Sequence, residues 1–161
     1  MIQGLKFDLR IYILLTSIDP VRLYIYEDGL VRFATEKYSN DPKNTKNNFI
    51  LLTNYSVNKD NKEFVYNECP DDYSGHKWSI STLRKYMQDV LEKDWEPIWE
   101  QIKDICLKTI LCGHEHIKGE VSRQVKSDYN CYKLFGFDVM LDENTKPWLL
   151  EVLHSVKYIK V

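Results

Sequence analysis

A chain of 161 residues, 43% hydrophobic and 29% charged, has apolar material for one buried core and too little length for several. A net charge of −2, with no basic run longer than two neighbours, excludes a general nucleic-acid binder. The apolar run Ile11 to Ile18 is far too short to span a bilayer, so no membrane partner is expected.

Taken in order, residues 5 to 15 alternate as a strand. Leu5, Phe7, Leu9, Ile11 and Ile13 form an apolar face, and Lys6, Asp8, Arg10 and Tyr12 the other. Asp19-Pro20 marks a turn. Leu23 to Tyr26 and Leu30 to Ala34 flank Asp28-Gly29, a hairpin signal. Lys37 to Asn48 is polar and reads as a surface loop, followed by a short strand over Phe49 to Thr53 and a second loop-like stretch over 60 to 75. Ser79 is placed to cap a helix running to about Leu91, with Ile80, Leu83, Met87 and Val90 on one stripe. A second helix starts near Pro97 and runs to about Leu111, with Ile98, Ile102, Ile105, Cys106 and Ile110 inward. Residues 112 to 130 are mixed and polar, a loop or a poorly patterned helix. Strands, then helices, then strands give an α+β fold in one continuous domain.

The last patterned stretch, Phe135 to Val152, reads as two alternating strands about a polar turn. If Asn144-Thr145 is a two-residue hairpin loop, Glu143 faces Lys146 and Asp138 faces Glu151. Their Cβ atoms are then roughly 5 Å apart, an arrangement that like charges destabilise and a cation relieves. A hard divalent cation, which takes one or two protein carboxylates and completes its shell with water and nucleotide phosphate oxygens, suits the pair. A solvated hairpin whose acidic residues face water satisfies the spacing equally.

Lys6, Asp8 and Arg10 project from one strand face. They form either a half-exposed strand with self-compensating charges or a phosphate platform, to which Arg32 adds a second guanidinium. Cys112, His114 and His116 lack the spacing of a zinc site. The four cysteines, Cys69, Cys106, Cys112 and Cys131, show no C-x-x-C pair and are expected to be reduced thiols of an intracellular protein.

Several motifs occur together and in order: Lys6-Phe7-Asp8-Leu9-Arg10-Ile11-Tyr12, Gly29-Leu30-Val31-Arg32-Phe33-Ala34, Leu52-Thr53-Asn54-Tyr55-Ser56-Val57-Asn58-Lys59, Gly75-His76-Lys77-Trp78-Ser79 and Lys146-Pro147-Trp148-Leu149-Leu150-Glu151-Val152. From about residue 4 to residue 152 the chain resembles the tubulin tyrosine ligase-like family, in its polyglutamylase branch. The resemblance implies an ATP-grasp-like C-terminal lobe, mostly antiparallel sheet with two packed helices. It also implies ATP- and Mg2+-dependent addition of free L-glutamate to glutamate side chains in tubulin C-terminal tails, through an acyl phosphate. Tubulin and microtubules are the implied partners, and the cytoplasm and cytoskeleton, cilium or basal body included, the implied place. Carried over by motif, Lys6, Asp8 and Arg10 resemble the catalytic strand, and Lys6, Thr53 and Asn54 resemble ATP contacts. Arg32, Tyr55, Ser56 and Lys77 resemble the glutamate pocket, and Asp138 and Glu151 the metal ligands.

Two departures stand out. The family's Glu-Val-Asn reads Glu151-Val152-Leu153 here, and leucine cannot ligate a metal. The family's upstream lobe, with its adenine pocket, has no counterpart in these residues. The chain is therefore expected to be the C-terminal part of a catalytic domain, residues 1 to 161, and not to ligate glutamate by itself. A non-catalytic tubulin- or nucleotide-binding module and a glycine ligase of the same family are the alternatives.

Overall fold

The structure, a computed structural model, describes residues 1–44, 46–67, 73–124 and 132–154. Cys69 and Cys131 lie outside them; Cys106 is a buried free thiol, its pKa pushed up to about 12 by burial, and Cys112 is an exposed one. No helix of the described residues is long and apolar enough to cross a membrane.

Two long strands, β1 (Phe7–Ile18) and β2 (Val21–Phe33), open the chain and turn at Asp19-Pro20. Two four-residue helices follow, α1 (Asn48–Leu51) and α2 (Tyr55–Asn58), then the short β3 (Lys77–Ser79). Helices α3 (Ile80–Asp89), α4 (Glu96–Cys112) and α5 (His114–Gln124) lead to the hairpin β4 (Lys133–Leu141) and β5 (Pro147–His154). The five strands form one wholly antiparallel sheet in the order β3-β2-β1-β4-β5, an α+β fold as expected. The alternation read in β1 sorts its faces: Leu9, Ile11 and Ile13 are buried under the helices, while Arg10, Tyr12 and Leu14 are half-buried on the other face. Ile80, Leu83 and Met87 of α3 and Ile98, Ile102, Cys106 and Ile110 of α4 complete the core. Ser79 caps α3 by accepting from the Thr82 N–H at 3.0 Å. Val90 falls outside the stripe and is exposed, because α3 ends at Asp89.

Two local expectations are corrected. Asp28-Gly29 is not a hairpin turn but part of a bulge inside β2, where Ile11 faces Gly29 and Ile13 faces Ile25. A Cβ at Gly29 would lie 2.4 Å from the Arg10 carbonyl oxygen, so glycine serves a close strand approach. Phe49 to Thr53 is not a strand: Asn47 accepts from the Phe49 N–H at 2.9 Å and starts α1, and so short an apolar run has no sheet edge to join. Of the two readings of the stretch from residue 112, the helix is the one found, as α5.

The hairpin also closes differently. Leu141 faces Pro147 and Val139 faces Leu149, so the loop has one residue more than the two-residue form, with Thr145 at φ 63°. The Asp142 carboxylate accepts from the Asn144 and Lys146 N–H groups at 2.9 and 3.0 Å and holds it. A bulge at Leu150 then restores Asp138 opposite Glu151. It also leaves Leu149 and Val152 packed on the core while Leu150 is exposed.

Replacing Gly29 by alanine should cost about 2–4 kcal/mol, since a methyl group must displace backbone rather than a side chain. Urea unfolding measures it, and an unchanged midpoint would refute the close approach.

Candidate functional site

Residues directly paired across antiparallel strands share a face. On the face away from the helices this places Asp8 opposite Arg32 and Arg32 opposite Lys77. It likewise places Arg10 opposite Asp138 and Asp138 opposite Glu151. The pairs condense into one network. Arg10 donates to both Asp138 oxygens, Nε at 2.5 Å and Nη2 at 3.1 Å. Arg32 donates from Nε to Asp8 at 2.9 Å, and from Nη2 to both Asp8 and Asp138, the latter at 2.8 Å. Asp8, Asp138 and Arg32 are buried.

Burial works against each charge here, and the network outweighs it. Desolvation pushes the Asp138 pKa up, but the hydrogen bonds and charges of Arg10 and Arg32 bring it below the usual carboxylate range. Desolvation likewise pulls Arg32 down, and Asp8 and Asp138 return it above the ordinary guanidinium value. The cations beside Asp138 are thus the two arginines, reached from β1 and β2. Glu151, on the edge strand, is exposed and makes no hydrogen bond or ion pair among the described residues. Gly136 belongs to this arrangement: a Cβ there would sit 3.1 Å from Arg10 Cδ, so its absence lets Arg10 lie across β4.

Above the network opens a cleft of about 190 Å³ whose lining includes Arg10, Arg32, Thr53, Tyr55, Asn58, His76 and Lys77. Arg10 and Arg32 spend Nε and Nη2 on carboxylates, and their Nη1 groups meet no acceptor among the described residues. Lys77 carries no ion pair among them and lies over the Tyr55 ring, 5.5 Å from its centroid. The Tyr55 and Tyr66 hydroxyls are hydrogen-bonded at 2.8 Å.

Of the residues singled out from sequence, Arg10, Arg32, Thr53, Tyr55 and Lys77 meet in this cleft, with Asp8 and Asp138 tied beneath its arginines. Lys6 is turned to the Leu51 carbonyl at 2.7 Å. Asn54 and Ser56 are exposed at the start of α2 and do not line the cleft. His114 is engaged by the Ile18 carbonyl and by Glu115, and the described residues hold no cluster of three or more metal-binding side chains.

Two polar cleft residues went unassigned from sequence. Asn58 is fully buried. Its Oδ1 accepts from the Thr35 N–H and hydroxyl at 3.0 and 2.9 Å, and its Nδ2 donates to the Leu52 and Asn54 carbonyls at 2.8 and 3.1 Å. It pins the segment carrying Thr53 and Tyr55 to the residues just beyond β2. An asparagine in a polar stretch carries no periodic signal of burial; only its four partners reveal it. His76 is the second.

An antiparallel sheet with helices on one face and a compensated row of arginines and carboxylates under a cleft on the other is an α+β architecture. The family model of the Tubulin-tyrosine ligase family matches residues 1–155, and the chain belongs to that family. It is 49% identical over 161 residues to the Tubulin monoglutamylase TTLL4 of Mus musculus, covering 96% of this chain and 13% of that protein. To the Tubulin polyglutamylase TTLL5 of Mus musculus it is 42% identical over 154 residues, covering 94% of this chain and 11% of that protein. The Tubulin polyglutamylase TTLL6 of Mus musculus is 41% identical over 162 residues, with 98% of this chain and 19% of that protein covered. The chain spans less than a fifth of the length of each of these relatives.

Replacing Arg32 by methionine should cost about 3–5 kcal/mol, because Asp8 and Asp138 lose a buried partner, whereas removing the exposed Glu151 carboxylate should cost little. Chemical denaturation of both variants distinguishes them. Asp138 has a lowered folded pKa. Its contribution is therefore fully present above the unfolded value near ~4 and is lost as pH falls through the folded value. Asp138→Asn should reduce the steepness of acid destabilisation below about pH 4 by nearly one proton. An unchanged slope in that variant would remove Asp138 as an acid-sensitive group.

Proposed function

We propose that this chain carries the sheet face of an ATP- and Mg2+-dependent ligase that joins L-glutamate to glutamate side chains in acidic tubulin tails. The observation that carries this reading is the shared cleft of Arg10, Arg32 and Lys77, which gathers unspent cationic donors above a carboxylate-braced floor. Such a floor suits phosphate and carboxylate groups together, because guanidinium forks bind both in fixed orientation. The names of the relatives, monoglutamylase and polyglutamylase, point to glutamate as the donor and tubulin as the acceptor. With tubulin as acceptor, the cytoskeleton is the place of action, and the cilium or basal body a finer expectation.

Each residue then has a task. Arg10, held by Asp138, steadies the negative charge of the carboxylate under activation, and Asp8 keeps Arg32 ionised and aimed. Arg32 and Lys77 receive the two carboxylates of the incoming glutamate. This favours glutamate over glycine, which has only one. Thr53, fixed through the Asn58 clamp, and Lys6 and Asn54 beside it serve the nucleotide. For Mg2+, Glu151 is the uncommitted carboxylate on this face, and Asp138 opposite it would share oxygens that already accept from Arg10 and Arg32, beside phosphate oxygens. Bound there, Mg2+ would supply charge neutralisation of the phosphates. Leu153, opposite Gly136, adds no oxygen to that set and supports the rival reading, a binding module without catalysis.

Transfer of labelled L-glutamate from solution to microtubules, by these residues joined to the family's upstream lobe, is the decisive measurement. ATP-dependent incorporation that Glu151→Gln lowers by about 10²-fold or more is expected, in line with loss of a metal or charge clamp. Incorporation of glycine instead, or nucleotide binding with no transfer at all, would overturn the glutamate-ligase reading. Leu153→Asn should lower the Mg2+ concentration needed for half-maximal nucleotide binding, and a titration unaffected by it would show that position 153 lies outside the ion's shell.

A further inference from the structure

We propose that His76 is a substrate-binding residue, a neutral imidazole whose Nε2–H donates to a carboxylate oxygen of the incoming amino acid. The inference rests on the glutamate-ligase reading and adds a residue to its donor pocket.

The proton's position follows from one contact. The Val65 backbone N–H donates to His76 Nδ1 at 3.0 Å. A backbone N–H can only donate, so Nδ1 is the acceptor and the neutral ring carries its hydrogen on Nε2. The ring is fixed from several directions. The His76 N–H donates to the Val65 carbonyl at 3.0 Å, and its own carbonyl accepts from the Phe33 N–H at 3.0 Å. The imidazole stacks on Phe64, with centroids 5.7 Å apart and planes 29° apart. Nε2 has no partner among the described residues, and His76 lines the same cleft as Arg32 and Lys77. A half-buried donor whose ring is held by the Val65 bond and the stack on Phe64 is a preorganised one.

Neutrality is maintained by the surroundings. Burial lowers the His76 pKa. Protonating Nδ1 would also break the bond it accepts from the Val65 N–H, while the Glu63 carboxylate acts the other way. A cleft floored by guanidinium groups attracts any anion. A single fixed N–H rewards an oxygen at one position, and so selects the amino acid by the placement of its carboxylates.

The test combines NMR with kinetics on these residues joined to the family's upstream lobe, in the wild type and two variants. Nitrogen-15 spectra at neutral pH should show His76 as the Nε2–H tautomer, and titration with L-glutamate should move the Nε2 resonance. His76→Phe keeps the ring on Phe64 and loses both the Nε2 donor and the Nδ1 acceptor of the Val65 N–H. It should raise the KM for glutamate about tenfold while leaving the KM for ATP near wild type, with a small drop in melting temperature from the lost Val65 bond. His76→Gln, which returns an N–H near Nε2, should recover part of that loss. An Nδ1–H tautomer, an Nε2 resonance indifferent to glutamate, or an unchanged glutamate KM in His76→Phe would overturn the proposal while leaving the ligase reading intact. Wild-type protein that neither binds nor transfers glutamate would overturn both.

Discussion

The buried alternation of charge through Asp8, Arg32, Asp138 and Arg10 is the interaction on which the site depends. Four ionised groups, three of them buried, are carried on three adjacent strands, and each carboxylate is shared with at least one guanidinium. Taking such charges out of water is expensive, and only complete pairing with good geometry offsets it. The network therefore depends on all three strand registers at once. A slip of one residue between β1 and β4 would turn Asp138 into the core and leave both arginines short of a partner.

The bulges become intelligible in this light. The bulge in β2 lets the long first hairpin stay paired on both sides of Gly29, and it keeps Arg32 opposite Asp8. The bulge at Leu150 corrects a loop that is one residue too long for the simplest hairpin, and so returns Glu151 to the face of Asp138 while Leu149 and Val152 stay on the core. Irregularities of this kind bend and re-aim strands next to functional sites. Here two irregularities, the longer loop and the bulge, cancel at the residue pair that matters.

The sheet divides the labour. Its apolar face, with the helices, provides the rigid body, and its polar face is left to chemistry. The cleft needs a second wall, and the segment around α2 supplies it. That segment has little hydrophobic weight, so it is held by polar means: the Asn58 clamp, the Lys6 bond to Leu51 and the aromatic contacts among Tyr55, Phe64 and Tyr66. A wall held in this way is rigid at its base, where Asn58 is buried, and open at its rim, where Tyr55 and Tyr66 are exposed.

The sequence by itself determined which residues share a face. Period-two alternation over residues 5 to 15 and 135 to 141, and helical spacing over 80 to 87 and 98 to 110, are local properties of the chain. Hydrophobic burial acts on them wherever the element ends up. The motifs that relate the chain to its family were legible for the same reason. Only the tertiary structure decided who meets whom across the sheet. Arg10 and Asp138 lie 128 residues apart, Arg32 and Asp138 106, and no local pattern announces such partners. It decided that Asp28-Gly29 is a bulge rather than a turn, because pairing along a twelve-residue neighbour outweighed a two-residue preference. It also decided that Asn58 is buried and which nitrogen of His76 carries the proton. The physical reason is common to these cases: hydrogen-bond satisfaction is a property of the surroundings, and those are assembled from distant parts of the chain.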